Sequence, residues 1–208
     1  MKKDKKRGNI TIVFATGNPN KVHEIRLILK EYPITIEERD QKGREIQSED
    51  LEEVAEASVL WAVEKIRAPT IVEDSGLFID ALRGFPGTST AYVYKTIGKR
   101  GVLKLLEDEI NRTASFKSAI AYSAPREKPR CFLGEVHGRI SLKERGARGF
   151  GFDPIFESEY GQGRTFGEIE VEEKNRYSHR AIAVRRFAEW LIKNKVAHRD
   201  SPKPISGV

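Results

Sequence analysis

A short segment near the N-terminus combines a threonine, an asparagine and a lysine at a strand-to-helix transition. Residues 16–21 read TGNPNK and follow the β-branched run of residues 10–15. The first turn of a helix presents unpaired N–H groups and a partial positive charge. Thr16, Asn18 and Lys21 could therefore bind phosphate oxygens there. The same residues also fit an Asn-Pro helix cap followed by a solvated lysine.

Two adjacent carboxylates, Glu73 and Asp74, follow an apolar run at residues 70–72 and precede Ser75 and Gly76. Burying an unpaired charge is costly, and α/β sheets bind ligands at strand ends. Carboxylates at such a position suit Mg²⁺ ligation or general-base chemistry. An ordinary Asp-Ser-Gly turn is the alternative interpretation, and the divergence of adjacent side chains means that the two carboxylates need not share a role.

An aromatic loop could hold the apolar part of a ligand. Residues 149–154 read GFGFDP, so that Phe150 and Phe152 are separated by Gly151. One ring could stack on a purine while Asp153 meets a polar edge of the base. Both rings could equally fill the core, and their spacing does not separate the two interpretations.

The last helix begins with an unfavourable arrangement of charge. Ser178 is a good N-cap residue, which places His179 and Arg180 in the first helical turn. Cations there oppose the helix dipole and need an anionic partner. This local conflict indicates a ligand site, and the alternative is a capping serine with two exposed neighbours.

The elements that must position these residues alternate between strand and helix patterns. Strands are predicted at residues 10–15, 34–36, 70–72, 115–123 and 130–139, and helices at residues 21–30, 51–66, 102–110 and 181–193. This order predicts an α/β fold with a mixed sheet. We expect one unit over residues 9–193, with two lobes around a groove, between a basic tail at 1–8 and a flexible tail at 194–208.

Composition excludes several classes of protein. The net charge is +6 over 208 residues, but residues 1–8 carry +4 and residues 191–208 carry +3, so that the body is close to neutral. A DNA-binding footprint over the whole domain is not supported. The single cysteine, Cys131, excludes an intrachain disulfide. No apolar run approaches the ~20 residues of a membrane span, and we expect a cytoplasmic protein with no membrane and no nucleic-acid partner.

Taken together and in order, these segments resemble the inosine triphosphate pyrophosphatase family, the Ham1-like XTP/dITP diphosphatases. The resemblance extends from about residue 10 to residue 193, and residues 92–98 and 116–118 look like its archaeal branch. The matching motifs are TGN with Lys21, EIQ at 45–47, EDSGL at 73–77, FPG at 85–87, GFGFDPIF at 149–156, and EKN at 173–175 with SHR at 178–180.

The resemblance implies a fold, a reaction and a set of site residues. The implied fold is a long, curved mixed sheet whose two α/β lobes flank a central nucleotide cleft, assembled as a homodimer. The implied reaction is Mg²⁺-dependent hydrolysis of ITP, dITP and XTP, purine nucleoside triphosphates, to the monophosphate and pyrophosphate. By motif, Glu45 and Asp74 would hold Mg²⁺, and Asp74 would also be the base. The implied substrate-binding residues are Thr16, Gly17, Asn18, Lys21, Ser75, Phe150, Gly151, Phe152, Asp153, Lys174, His179 and Arg180.

Arg180 is also the natural candidate for distinguishing the bases. A donor-only guanidinium would meet the oxygen of a 6-oxo purine favourably and the amino group of adenine unfavourably.

The sequence departs from the family at Phe152, where many relatives have Tyr or Trp, and at Ala55 and Ser58, where a polar residue often reaches the phosphates. The alternatives are a pyrophosphatase for dTTP, UTP or modified pyrimidine nucleotides, a nucleic-acid-binding module that uses the tails, and a nucleotide binder without catalysis.

Overall fold

The computed structural model describes residues 9–41 and 46–200, with side chains as far as residue 194. The strands are β1 (Ile10–Ala15), β2 (Ile34–Arg39), β3 (Thr70–Ile79), β4 (Pro86–Gly87), β5 (Thr113–Ser123), β6 (Arg130–Ile140) and β7 (Phe156–Ser158). The α-helices are α1 (Pro19–Leu29), α2 (Leu51–Ile66), α3 (Thr90–Thr96), α4 (Gly98–Leu105), α5 (Val171–Lys174) and α6 (His179–Asp200).

The seven strands form one mixed sheet. The strand order is β2-β1-β3-β5-β6-β7, and β4 pairs with β3 outside this path. β1 is parallel to β2 and β3, whereas the β3–β5, β5–β6 and β6–β7 pairs are antiparallel. The predicted mixed α/β fold is therefore confirmed. The strands predicted at residues 115–123 and 130–139 correspond to β5 and β6, which pair with each other.

The helices that follow β1 and precede β3 lie on opposite faces of the sheet. On one face, Ile25 of α1 packs in a cluster with Ile71 and with Val184 of α6. On the other face, Ala55 of α2 packs with Val72. In open α/β sheets, the point where helices change face leaves a crevice at the carboxyl ends of the strands, and this crevice is where ligands bind.

A second cluster of buried apolar residues forms the other lobe. Leu77 at the far end of β3 packs there with Val93 of α3, Phe116 of β5 and Phe156 of β7. β1 pairs with β3 only as far as Ile71, while β3 continues to Ile79. The long strand β3 thus connects both lobes and passes beneath the crevice between them.

The strand predicted to stop at Val72 continues without interruption, so the predicted break at residues 73–76 is wrong. β3 pairs residue by residue with β5 from Thr70 opposite Ser123 to Ile79 opposite Ala114. Two features make this possible. The Glu73 carboxylate is paired inside the protein, and Gly76 lets β4 approach closely, because a Cβ at Gly76 would lie 2.5 Å from the Gly87 carbonyl oxygen.

Helix boundaries also differ from the sequence predictions in two places. The predicted helix at 102–110 is α4, which begins at Gly98 and ends at Leu105, and Ile110 is 99% exposed. Only residues 102–105 of the predicted segment belong to α4, and Leu106 and Ile110 lie beyond its end. The closing helix α6 continues to Asp200, beyond its predicted end at Lys193. Among the described residues, no helix has the length and hydrophobicity that a bilayer crossing requires.

Candidate active site

A cleft of about 870 Å³ lies between the two lobes at the carboxyl end of β1. Six of the residues predicted from the sequence line it: Lys21, Asp74, Ser75, Phe150, Gly151 and Phe152. The loop at 46–49, Val54 of α2, and residues 88–92 with Tyr94 line the remaining walls. The structure therefore brings together residues of the first, third and fifth motif segments around one space.

The TGN segment forms the turn between β1 and α1. Thr16 Oγ1 accepts a hydrogen bond from the Asn18 N–H at 3.2 Å. Asn18 is the N-cap of α1, and its Oδ1 accepts from the N–H groups of Asn20 and Lys21 at 3.0 and 3.4 Å. Pro19 fits the first helical turn because its fixed φ suits that position. Thr16 and Asn18 thus satisfy the start of the helix, as the capping interpretation expects.

Glu73 and Asp74 point to opposite faces of β3, because successive strand side chains alternate. Asp74 is half-buried and lines the cleft. Glu73 is buried on the face of Ile71, against α1 and α6. The two carboxylates therefore have different environments, and Asp74 is the one that faces the space that a ligand could occupy.

Glu73 is held by two cations and a hydroxyl. Its Oε2 lies 2.8 Å from Lys21 Nζ, and its Oε1 lies 3.1 Å from Arg180 Nη2. Ser118 Oγ donates a hydrogen bond to Oε1 at 2.7 Å. Burial by itself would raise the pKa of Glu73, but Arg180 and Lys21 outweigh burial and hold this pKa well below its ordinary value. Glu73 is therefore ionised in the folded protein near neutral pH.

A second group of buried charges adjoins the first. Lys174 Nζ lies 2.8 Å from Glu24 Oε1 and 2.7 Å from Asp153 Oδ2, and Arg180 Nη1 lies 2.5 Å from Glu24 Oε2. Asp153 also accepts from the Phe150 N–H at 2.8 Å. Burial raises the pKa of Glu24, but Arg180 and Lys174 outweigh it and lower this pKa. The pKa of Lys174 is raised because Asp153 and Glu24 outweigh the effect of burial.

The unfavourable start of α6 is resolved inside the chain. Ser178 Oγ accepts from the Ala181 N–H at 3.2 Å, which confirms Ser178 as a capping residue. The anionic partners that Arg180 needs near the helix N-terminus are Glu24 and Glu73. Arg180 Nη2 also donates to Ser75 Oγ on the cleft wall at 3.1 Å. Arg180 therefore lies behind the cleft and reaches its lining through Ser75.

His179 lies away from the cleft lining. Its ring is stacked on Phe116, with centroids 4.8 Å apart and planes 15° apart, and it is fully buried. Burial, reinforced by Arg180 and Lys174, lowers the pKa of His179 well below its ordinary value. His179 is therefore neutral near pH 7, unlike the cation that the sequence interpretation assumed in the first turn of α6.

The two rings of the aromatic loop occupy different environments. Phe152 is 1% exposed and packs against the edge of Tyr94, with centroids 5.4 Å apart. The ring of Phe150 lies 5.2 Å from both Lys174 Nζ and the Arg180 guanidinium carbon, a cation–π arrangement. Phe150 also lines a recess of about 260 Å³ behind the cleft, together with Glu24. Phe150 is thus the more accessible ring, while Phe152 fills the core.

The cleft offers oxygen ligands suited to a hard divalent cation. Mg²⁺ binds through one or two carboxylates and completes its shell with water and substrate phosphates. Asp74 supplies a carboxylate, and Gln47 supplies an amide oxygen on the same cleft. Within residues 9–41 and 46–200, no group of three or more His, Cys, Asp or Glu residues could hold a metal. Glu45, the second predicted ligand, lies outside the described residues.

Two residues of the buried charge network were not identified from the sequence. Glu24 lies three residues after Lys21, on the same face of α1, and this spacing was a signal that an apolar-periodicity analysis overlooks. Ser118 lies within β5 and contacts Glu73 across 45 residues of sequence. No local pattern distinguishes such a serine from any other strand serine.

Comparisons with known proteins agree on one family. A family model described as the Ham1 family matches residues 12–190. A Methanopyrus kandleri protein named dITP/XTP pyrophosphatase is 52% identical over 188 residues, which cover 90% of this chain and 99% of the relative. A Thermococcus kodakarensis protein of the same name is 49% identical over 183 residues, which cover 88% of this chain and 98% of the relative.

Solved structures agree with the sequence relatives. The Ham1 protein of Staphylococcus aureus superposes with a TM-score of 0.76 at 27% identity, covering 88% of this chain and 99% of that protein. A Ham1 protein from Coxiella burnetii gives the same TM-score and coverage at 29% identity. The family match covers most of the chain, and the strand β3 and the cleft described above fall within it. This chain belongs to the Ham1 family.

Proposed function

We propose that this protein hydrolyses the non-standard purine nucleoside triphosphates ITP, dITP and XTP to the monophosphate and pyrophosphate in the presence of Mg²⁺. One observation carries the proposal: Lys21, Asp74 and Phe150, widely separated in sequence, line a single cleft. A triphosphate requires a cation, a metal-assisted displacement requires a carboxylate, and a nucleotide base is held by an aromatic ring. The archaeal relatives, which are named dITP/XTP pyrophosphatases, support the same substrate class.

At the phosphate end, Lys21 binds triphosphate oxygens and Asp74 acts on water. The half-buried carboxylate of Asp74 aligns a water molecule and accepts its proton during attack on the α-phosphorus, with pyrophosphate as the leaving group. Asp74 and Glu45 would hold Mg²⁺, which supplies neutralisation of the triphosphate charge. Thr16, Gly17 and Asn18 form the turn beside these groups, and we assign the triphosphate to that turn as well.

At the base end, Phe150 provides a ring face, and Lys174 and Arg180 provide positive charge behind it. A 6-oxo purine accepts hydrogen bonds at the position where adenine donates them, so a cationic donor favours the former. Lys174 lines the recess beside Phe150, whereas Arg180 reaches the cleft lining through Ser75. Ser75, which accepts from Arg180, lies between the base end and the phosphate end. Gly151 and Phe152 line the cleft beside Phe150, and Asp153 accepts a hydrogen bond from the Phe150 N–H. The assignment of His179 to the base site rests on its motif alone, since its ring packs on Phe116 away from the cleft lining.

A substrate panel tests this function. ITP, dITP, XTP, GTP, ATP and dTTP are supplied with Mg²⁺ or with a chelator, and released pyrophosphate is measured. We expect turnover of ITP, dITP and XTP well above that of GTP and ATP, and loss of turnover with the chelator. Hydrolysis of dTTP at least as fast as that of ITP would replace the proposal with the pyrimidine alternative.

The proposal includes an assembly and a compartment. We propose that the chain forms a homodimer in the cytoplasm, as the resemblance of its motifs and its composition imply. Light scattering on the protein eluted from a size-exclusion column should give twice the mass of one chain. The mass of a single chain would contradict the dimer.

A further inference from the structure

Lys21 is held by two oxygens of the same residue. Its Nζ lies 2.8 Å from Glu73 Oε2 and donates a hydrogen bond to the Glu73 carbonyl oxygen at 2.7 Å. The contact with Oε2 is an ion pair, and the carbonyl oxygen accepts the hydrogen bond. An ammonium group has three donors, so donors remain for the cleft that Lys21 lines. The position of the ammonium group is therefore determined by Glu73 before any ligand enters.

Glu73 is itself fixed from behind. Its Oε1 accepts from Ser118 Oγ at 2.7 Å and lies 3.1 Å from Arg180 Nη2, and the residue is only 4% exposed. Both partners bind Oε1, which leaves Oε2 and the backbone carbonyl for Lys21. Ser118 and Arg180 thus orient the carboxylate, and the carboxylate orients the lysine.

Glu73 does not line the cleft, and its side chain projects from the face of β3 opposite to Asp74. It therefore has no access to a ligand there and can act only through its partners. A lysine side chain is a flexible four-carbon stem, and holding it in one geometry costs conformational entropy. When the lysine is already ordered in the free protein, less conformational entropy is lost when substrate binds.

We propose that Glu73 is a positioning residue that holds the Lys21 ammonium ready for the triphosphate, with Ser118 as the hydroxyl that orients it. The proposal rests on the function given above for its catalytic consequence, and on the contacts of Lys21 for its geometry. It separates the two adjacent carboxylates by role: Asp74 acts in the cleft, and Glu73 acts on the lysine.

A double-mutant cycle tests this role. Glu73→Gln, Lys21→Met and the double variant are compared with the wild type in kcat and KM for ITP, with thermal unfolding measured in parallel. We expect each single change to lower kcat/KM about 10- to 100-fold. In the Lys21→Met background, Glu73→Gln should lower kcat/KM little further, because the lysine is the group through which Glu73 acts. An equal fold-loss of kcat/KM in the wild-type and Lys21→Met backgrounds would overturn the proposal.

A binding experiment separates this inference from the proposed function. The same four proteins are titrated with inorganic tripolyphosphate in a calorimeter, which requires no turnover. A cycle that is non-additive in the dissociation constant supports the role of Glu73 even if the wild type hydrolyses no triphosphate, a result that would reject the function alone. Additive effects, or no tripolyphosphate binding by the wild type, would overturn the role of Glu73.

A milder variant keeps the test valid if Glu73→Gln does not fold. Ser118→Ala removes only the hydroxyl that donates to Glu73, and we expect an affinity for tripolyphosphate about two- to fivefold weaker. This loss should disappear in the Lys21→Met background. Ser115→Ala is the matched control, since Ser115 is buried on the same strand but on its opposite face. An equal loss in Ser115→Ala, or none in Ser118→Ala, would contradict the proposal.

Discussion

The buried charges next to the cleft occur in matched sets. Glu24 and Glu73 both contact Arg180, and Glu24 and Asp153 both contact Lys174. Removing one partner of a buried ion pair typically destabilises a protein by about 3–5 kcal/mol, because the other charge is left uncompensated. The cluster therefore constrains the residues that surround the base end, and its members cannot be exchanged one at a time.

The first residue-scale prediction concerns Asp74. Replacing Asp74 with Asn keeps the shape of the side chain but removes the base, so kcat for ITP should fall by about 10²- to 10⁴-fold. Binding of ITP, measured by calorimetry, should persist. Asp80→Asn is the control, because Asp80 is exposed immediately beyond the same strand, and it should retain full turnover. Unchanged turnover in Asp74→Asn would refute the assigned base.

The second residue-scale prediction concerns the pH dependence of stability. Because the folded pKa of His179 lies below the unfolded value of about 6.5, the unfolded chain takes up a proton that the folded protein resists. This contribution to stability is complete above about pH 6.5 and is lost as the pH falls, at up to about 1.4 kcal/mol per pH unit.

Urea unfolding between pH 7 and pH 5 measures this effect. His179→Phe keeps a ring against Phe116 but cannot titrate. In this variant the free energy of unfolding should decrease less steeply, as the pH is lowered, than in the wild type. His23→Phe serves as control because His23 is exposed, and it should retain the wild-type slope. Equal slopes in the wild type and His179→Phe would show that His179 does not make this contribution.

At the scale of elements, the placement of α6 on β6 depends on one glycine. A Cβ at Gly134 would lie 2.0 Å from the His179 carbonyl oxygen and 2.6 Å from the Ala183 nitrogen. Only a residue without a side chain lets the helix lie so close to the strand. This contact positions the first turn of α6, and with it the guanidinium of Arg180.

Gly134→Ala should therefore affect both stability and turnover. We expect a loss of about 1–3 kcal/mol in the free energy of unfolding, as is usual for overpacking, together with a lower kcat/KM for ITP. Denaturant unfolding and steady-state kinetics measure the two effects. Leu133→Ala, on the neighbouring half-exposed residue, should change stability by about 0.5 kcal/mol or less. If Gly134→Ala keeps the wild-type free energy of unfolding and kcat/KM, α6 can shift away from β6 without consequence, which would contradict this prediction.

At the scale of the whole molecule, charge and function are separated along the chain. Residues 1–8 carry a net charge of +4, while the described site residues lie between Thr16 and Arg180. The bounds predicted for this unit, residues 9–193, stay a prediction, as does the flexibility of the segments that flank it. The charge distribution nevertheless makes the tails the natural candidates for any contact with nucleic acid.

Deleting residues 1–8 and 201–208 tests this separation. The truncated protein should retain kcat/KM for ITP within about twofold of the full chain, because distant surface changes seldom have larger effects. Any weak, salt-sensitive retention of DNA in a gel-shift experiment should decrease. Loss of tight DNA binding on truncation, in a chain that hydrolyses none of the nucleotides, would favour a nucleic-acid-binding module that uses the tails over the enzyme.

Local patterns were sufficient for much of the fold. Residues 51–66 form α2 as predicted, because helical apolar spacing, the cap at Asp50 and the approach to Pro69 agree with one another. The break predicted in β3 was wrong because charged residues and a glycine usually end a strand. Here, partners from α1, β5 and α6 allow Glu73 to be buried within it.

The α/β class, the capped helix starts and the family motifs could be predicted from local patterns, since each depends on residues that are neighbours along the chain. Which charges meet depends on how distant segments pack together. Lys174 and Glu24 are 150 residues apart in sequence and 2.8 Å apart in space, and Ser118 reaches Glu73 from another strand. Such pairs arise from strand register and helix packing, in which every segment contributes, so no local pattern specifies them.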